Sequence, residues 1–127
     1  MTKQIWVVDD DEEMSRAVRL MVKLLDGETT AFFHARSAAQ AVLDGRRPDL
    51  FILDINMPEV TGLDLLEFLR RRETTKNLPV VMLSTEASDV MIDRAKSLGA
   101  DAYVSKPVTI EELEKAMSQA FYKHILK

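Results

Sequence analysis

The sequence contains no cysteine, which excludes disulfide bonds and thiolate metal sites and is typical of a protein from a reducing compartment. Glycine and proline are scarce, with four of each, so no Gly- or Pro-rich stretch is available as a flexible linker between domains. No apolar run approaches the roughly 20 residues that a membrane-spanning helix needs. The first residues, MTKQIWVV, lack the apolar core and cleavage site of a secretory signal. We therefore expect a cytoplasmic protein with no membrane partner.

Positive charge is slightly outnumbered, with 17 Lys and Arg against 21 Asp and Glu, which gives a net charge of −4. The one basic run is Arg70-Arg71-Arg72, where a predicted helix ends. We interpret this run as a solvated helix C-terminus favoured by the helix dipole, rather than as a nucleic-acid-binding patch. Direct binding of nucleic acid is therefore not expected.

The sequence does contain a regular alternation of short apolar runs with longer stretches of helical period, typical of a parallel sheet covered by helices. Its 127 residues fit a single domain, 1–127. Capping boxes at Ser37 to Gln40 and Thr109 to Glu112 predict the starts of the second and fifth helices. The predicted strands cover 5–8, 29–33, 50–53, 79–83 and 102–105, and a helix is predicted after each.

Three of the apolar runs, IWVV, LFIL and VVML, are apolar at every position, so their strands belong in the centre of the sheet. The other two runs, TTAFF and AYVS, are mixed and fit the edges. Right-handed crossovers then favour the strand order 2-1-3-4-5. The expected fold is a doubly wound (βα)5 α/β structure of the flavodoxin-like type, with helices on both faces and a ligand site beyond the carboxyl ends of the strands.

Polar residues follow four of the predicted strands and should meet at one edge of the sheet: Asp9-Asp10, Asp54, Ser84 and Lys106. Carboxylates beside a hydroxyl and an ammonium group suit a Mg²⁺ ion and an anion held together, with Asp10 and Asp54 as metal ligands. Asp54 could then attack phosphorus while Lys106 and Ser84 contact the phosphoryl oxygens. The expected product is an aspartyl phosphate.

The acidic run that follows strand 1 divides into two parts under this interpretation. Asp9 and Asp10 belong to the predicted metal site. Asp11, Glu12 and Glu13 instead suit the cap and first turn of the next helix, where the helix dipole favours negative charge.

The motifs VVDDDEE, LDINMP with a glycine at 62, MLST and YVSKP occur in this order and spacing. The chain, over about 4–124, resembles the receiver domain of two-component response regulators, most closely the chemotaxis-type (CheY-like) single-domain form. The resemblance implies a phosphoprotein that is a signalling switch rather than an enzyme, with only self-phosphorylation and self-dephosphorylation chemistry. The implied partners are a sensor histidine kinase or histidine phosphotransfer protein, and a downstream target protein or output domain.

The resemblance also implies roles for individual residues around the phosphate. Asp54 is the implied phospho-acceptor. Asp10, Asp54 and the backbone carbonyl of Asn56 are implied direct Mg²⁺ ligands, and Asp9 is implied to bind through water. Lys106 is implied to contact the phosphoryl group, across a cis bond to Pro107.

On activation, Ser84 is implied to move towards the phosphate, and Tyr103 to turn inward into the space left. Helix 4, strand 5 and helix 5 would form the surface read by partners. Ala116 stands where the winged-helix transcription-factor subfamily has an arginine, so we expect a monomer or a weak phosphorylation-dependent dimer.

Two features bear on the lifetime of the phosphoryl group and point in opposite directions. Asn56 and Glu86 match the chemotaxis-type pattern, which implies fast self-dephosphorylation. Thr85 replaces a smaller residue, and its bulk should narrow access to Asp54 and slow the chemistry. The lifetime is therefore left open.

Two other functions share part of this residue pattern with a signalling switch. Haloacid-dehalogenase-like phosphatases also use an Asp nucleophile, Mg²⁺, a hydroxyl and a Lys, but usually carry a second Asp where this chain has Asn56. A nucleotide-binding module is disfavoured because no Gly-rich loop follows strand 1. We interpret His34 and His124 as surface or edge residues rather than phosphocarriers, since no carboxylate lies near them in sequence.

Overall fold

The computed structural model describes residues 2–125 and contains five strands that alternate with five helices. The strands form one parallel sheet in the order β2-β1-β3-β4-β5, which confirms the predicted (βα)5 fold and strand order. The elements are β1 Gln4–Val8, α1 Glu12–Leu24, β2 Glu28–Phe32, α2 Ala35–Leu43, β3 Leu50–Asp54, α3 Gly62–Arg70, β4 Val80–Ser84, α4 Asp89–Ser97, β5 Ala102–Ser105 and α5 Ile110–Ile125.

The central strands are those with continuous apolar sequence. Every residue of β3 and β4 is buried, and β1 is buried from its second residue onward. The edge strands β2 and β5 contain half-buried positions. Burial on both faces explains the continuous apolar runs, because each successive side chain enters the opposite layer of the core.

The sheet separates two hydrophobic layers. Trp6, Phe51 and Leu53 point into the layer covered by α2, α3 and α4. Ile5 and Ile52 point into the layer covered by α1 and α5. Within residues 2–125, no helix is long and apolar enough to span a membrane.

Helix starts were predicted with mixed success. Asp11 caps α1 by accepting a hydrogen bond from the Met14 N–H, and Thr109 accepts one from the Glu112 N–H at the start of α5, as predicted. The predicted start of α2 at Ser37 is wrong, because the helix begins at Ala35. Ala35 is buried, so the apolar stripe of α2 starts two residues before the residue that the capping pattern suggested.

The interpretation of the basic run as solvated is wrong for its first member. Arg70 has a side chain only 15% exposed, which pairs with Asp101 at 3.1 Å. Its guanidinium also donates to the carbonyl oxygens of Gly99 and Leu78, at 2.8 and 2.7 Å. Arg71 is exposed, as predicted. Arg70 therefore holds together segments that are distant in sequence.

His124 is half-buried at an edge of the sheet, which is within the expected surface or edge position. Its Nε2 atom lies 2.8 Å from Oδ2 of Asp101, and the side chain is only 11% exposed. His34 is exposed, as expected. Asp101 immediately precedes β5, and its Oδ2 also accepts the N–H of Val80 at the start of β4. We call Arg70, Asp101 and His124 the amino-edge cluster.

Candidate functional site

Three carboxylates meet at the carboxyl edge of the sheet. Asp9 and Asp10 follow β1, and Asp54 is the last residue of β3. Val8 pairs with Leu53, so the residues that come next on the two parallel strands are neighbours. One carboxylate oxygen from each of the three residues lies within 4.8 Å of the others. The structure thus brings the predicted acidic residues together, with Asp9 and Asp54 buried and Asp10 exposed.

Within residues 2–125, one ammonium group faces this acidic set. Nζ of Lys106 lies 3.0 Å from Oδ1 of Asp54 and 3.2 Å from Oδ2 of Asp9, and its side chain is 11% exposed. The Lys106 N–H donates to the carbonyl oxygen of Ser84 at 2.8 Å, which fixes the start of the loop after β5. The Lys106–Pro107 peptide bond is cis, as the resemblance implied.

The pKa values record an excess of negative charge in the site. Burial, reinforced by the charge of Asp54, raises the pKa of Asp9 to about 6, although the Asp11 N–H and Lys106 act in the opposite direction. Burial alone would lower the pKa of Lys106, but its hydrogen bonds to Asp54 and Asp9 and their charges outweigh burial and raise it. The Lys106 ammonium is shared by Asp9 and Asp54, and Asp10 lies beside them, so the acidic charge is only partly balanced.

The donor set fits a hard divalent cation. All three converging side chains offer carboxylate oxygens, which are the ligands that Mg²⁺ prefers. The pKa of Asp9 is raised mainly by burial and further by the nearby charge of Asp54, and a bound cation would offset both effects. Asn56 lies in the turn that follows, where its N–H donates to Oδ1 of Asp54 at 3.3 Å. These residues could therefore hold Mg²⁺ beside the Asp54 carboxylate.

The two predicted switch residues, Ser84 and Tyr103, are joined through the loop after β4. Ser84 is fully buried, and its Oγ accepts the N–H of Glu86 at 3.0 Å. The carbonyl oxygen of Glu86 accepts the hydroxyl of Tyr103, whose half-buried ring packs against the core. The side chains of Thr85 and Glu86 are exposed.

Sequence reasoning missed a contact between Ser84 and Asn56. The Ser84 hydroxyl donates to Oδ1 of Asn56 at 3.3 Å, across 28 residues of sequence. The motifs assign the two residues to different loops, and nothing in either motif indicates that their side chains touch. The contact follows from the neighbouring positions of β3 and β4 in the sheet.

Gly62 allows α3 to begin directly against the end of β3. A Cβ atom at this position would collide with the backbone carbonyl of Asp54. The Gly62 N–H donates to the carbonyl oxygen of Ile55, and Thr61 and Asp64 form a capping box at the helix start. The Asp54 backbone is therefore supported by a tightly packed turn, for which only glycine is small enough.

The family model described as "Response regulator receiver domain" matches residues 5–118. Among curated proteins, the chain is 34% identical over 118 residues to the chemotaxis protein CheY of Pseudomonas aeruginosa, covering 93% of this chain and 95% of that protein. It is 31% identical over 112 residues to the polar-differentiation response regulator DivK of Brucella ovis, covering 87% and 89%.

Solved structures show the same architecture. The chemotaxis protein CheY4 of Vibrio cholerae matches with a TM-score of 0.85 at 28% identity, over 94% of this chain and 99% of that one. A CheY-like receiver domain protein of Methanospirillum hungatei matches with a TM-score of 0.85 at 22% identity, over 98% and 97%. The second match supports the fold alone.

Proposed function

The chain belongs to the response regulator receiver domain family of two-component systems, and we propose that residues 1–127 act as one domain that accepts a phosphoryl group on Asp54. The observation that carries this proposal is the buried Asp54 carboxylate, 3.0 Å from Lys106 and beside the carboxylates of Asp9 and Asp10. The phosphoryl donor would be a sensor histidine kinase or a histidine phosphotransfer protein.

The proposed transfer forms one bond and breaks one. A carboxylate oxygen of Asp54 attacks the phosphorus of a phosphohistidine, the phosphorus–nitrogen bond breaks, and the leaving imidazole keeps the electron pair and takes a proton from solvent. The product is an acyl phosphate on Asp54. The Lys106 ammonium already contacts Asp54 and would balance charge on the phosphoryl oxygens. This step alters the protein itself and requires no turnover of a substrate.

Asp9, Asp10, Asp54 and the backbone carbonyl of Asn56 are the proposed holders of Mg²⁺. Bound there, the cation would draw negative charge from the phosphoryl oxygens. Without a cation, the acidic set would repel an incoming phosphoryl group, because three carboxylates face one ammonium.

The output is proposed to be a changed surface formed by α4, β5 and α5. Ser84 and Lys106 would bond to the new phosphoryl oxygens, and the loop after β4 would shift with Ser84. Tyr103 is bonded to the Glu86 carbonyl in that loop, so a loop shift would reach β5 directly. A downstream target protein or an output domain would bind this surface.

Phosphorylation of Asp54 is tested by intact-mass measurement after incubation with Mg²⁺ and acetyl phosphate. The wild type should gain one labile phosphoryl group, and Asp54→Ala should gain none. Asp10→Ala should abolish Mg²⁺-dependent labelling, whereas Glu13→Ala should be labelled nearly as well as wild type, because Glu13 lies in the first turn of α1. Lack of an Asp54-dependent adduct, or equal losses in the Asp10 and Glu13 variants, would contradict the proposal.

A haloacid-dehalogenase-like phosphatase is the competing function, and it differs in turnover. Such an enzyme would release many equivalents of phosphate from phosphomonoesters in the presence of Mg²⁺. Asn56 stands where the general acid of that family is usually found, and its side chain bonds to Ser84 here. We therefore expect at most stoichiometric labelling, and sustained phosphate release would favour the phosphatase.

A further inference from the structure

Asn56 has a side-chain contact that neither metal binding nor phosphate transfer requires. Its backbone contacts Asp54 through the N–H, but its amide oxygen points away to Ser84 and accepts the Ser84 hydroxyl at 3.3 Å. Ser84 is fully buried, so its hydroxyl has few alternative partners. The side chain of Asn56 therefore fixes where the Ser84 proton points.

A serine hydroxyl has one proton to donate and two lone pairs to accept with. In this structure the proton goes to Asn56, and one lone pair accepts the N–H of Glu86 at 3.0 Å. The hydroxyl proton of Ser84 is thus already donated to Asn56. A phosphoryl oxygen on Asp54 could receive it only after the bond to Asn56 is broken.

The contact between Asn56 and Ser84 begins a chain of hydrogen bonds that leads to the edge strand β5. Ser84 is bonded to the N–H of Glu86, and the carbonyl oxygen of Glu86 is bonded to the Tyr103 hydroxyl. We call these four residues, Asn56, Ser84, Glu86 and Tyr103, the Asn56–Tyr103 chain. A restraint that Asn56 places on Ser84 therefore reaches Tyr103 in the edge strand β5.

We propose that Asn56 is a positioning residue that holds Ser84 in its unphosphorylated arrangement and so opposes the switch. The inference rests on the proposed function and concerns the regulation of the same site. The bond between Ser84 and a phosphoryl oxygen must replace the bond between Ser84 and Asn56. Removing the Asn56 acceptor makes that replacement easier, by about threefold to tenfold in affinity for a phosphoryl mimic, the range of one neutral hydrogen bond.

The test is a double-mutant cycle with beryllium trifluoride as the phosphoryl mimic, in the presence of Mg²⁺. The apparent affinity is measured by ¹⁹F NMR titration, which does not depend on how fast a real phosphoryl group is lost. Asn56→Ala should bind the mimic about threefold to tenfold more tightly than wild type. In a Ser84→Ala background the same change at Asn56 should have no effect, because the bond it removes is already absent.

Two outcomes would overturn the inference. Unchanged or weaker binding by Asn56→Ala would mean that the amide does not restrain Ser84; weaker binding would fit an amide that donates to Ser84 and supports the switched arrangement. Equal tightening with and without Ser84 would mean that Asn56 acts by another route. Mg²⁺ is kept at a saturating concentration for every variant, so that a change in metal affinity does not enter the comparison.

Failure of the inference is distinguishable from failure of the proposed function. If wild type shows no Asp54-dependent binding of beryllium trifluoride, the proposed function itself is wrong. If wild type binds the mimic but Asn56→Ala does not bind it more tightly, the proposed function is retained and the positioning role of Asn56 is wrong.

Discussion

Buried aspartates lie at both ends of the strands, at the amino edge and at the carboxyl edge of the sheet, and the charges around them differ. At the amino edge, Oδ2 of Asp101 accepts the Val80 N–H and contacts both Arg70 and His124. At the carboxyl edge, Asp9 shares the single ammonium of Lys106 with Asp54, and Asp10 lies beside them. Asp101 is contacted by an arginine, a histidine and a backbone N–H. Asp9, in contrast, belongs to a set of three carboxylates beside one ammonium group.

This difference separates a structural role from a functional one. A buried ion pair costs desolvation energy, and breaking it by removing one partner leaves an uncompensated charge that is strongly destabilising. The amino-edge cluster is balanced and connects α3, β4, β5 and α5. The carboxyl edge is unbalanced, and burial together with the charge of Asp54 raises the pKa of Asp9 there. The unbalanced edge is the one that should respond to a cation or a phosphoryl group.

The largest expected effect is from Asp101→Asn, which removes the negative charge from the amino-edge cluster. Arg70 would be left as a buried cation without its counterion, because its guanidinium otherwise bonds only carbonyl oxygens within the described residues. The free energy of unfolding should fall by about 3 kcal/mol. Urea unfolding at pH 7 measures this, and an unchanged midpoint would show that the cluster is not structural.

The matched change at the other edge, Asp9→Asn, should have the opposite sign. It removes a carboxylate whose charge is disfavoured by burial and by the nearby charge of Asp54, so the metal-free protein should become more stable. A pKa raised from 3.8 to about 6 corresponds to a gain on the order of 1–3 kcal/mol at pH 7. The same urea experiment in EDTA checks it, and destabilisation of both variants would remove the contrast between the edges.

Mg²⁺ should stabilise the protein through the carboxyl edge alone. At ten times its dissociation constant, an ion that binds only the folded state adds about 1.4 kcal/mol to the free energy of unfolding. Wild type and Asp101→Asn should both show this gain, and Asp10→Ala should not. Thermal unfolding with and without MgCl₂ measures it, with an equal gain in Asp10→Ala as the contradicting result.

The smallest expected effect is a dependence on pH. The folded-state pKa of Asp9 is raised to about 6, so between 3.8 and 6 the folded protein binds more protons than the unfolded chain. The contribution of protonated Asp9 to the free energy of unfolding is therefore fully present below pH 3.8 and is lost as the pH rises through about 6. Between pH 5 and 7, metal-free wild type should lose about 1 kcal/mol more stability than Asp9→Asn. Parallel pH profiles of the two proteins would refute this assignment.

Much of the fold was predictable because it depends on local pattern. Continuous apolar runs identified the central strands, and short connections with right-handed crossovers left one natural order for them. The carboxyl-edge residues could be anticipated for the same reason, since each directly follows a strand. The predicted start of α2 at Ser37 is wrong, because the buried stripe of the helix already begins at Ala35.

The contacts that were missed join residues far apart in the chain. Arg70 and His124 meet Asp101 across 31 and 23 residues, and Asn56 meets Ser84 across 28. A sequence pattern with a period of two or three to four residues carries no information at such separations. These partners could be identified only once the strands and helices were placed side by side.

The sequence alone determined the strand order, the edge at which the acidic residues, Ser84 and Lys106 collect, and the division of the acidic run between that edge and the cap of α1. Only the tertiary structure decided how those charges are balanced. Whether a buried carboxylate such as Asp9 or Asp101 is neutralised depends on side chains brought in from other elements. Electrostatic energy depends on the distances between charges and on their burial, and the order of residues along the chain gives neither quantity.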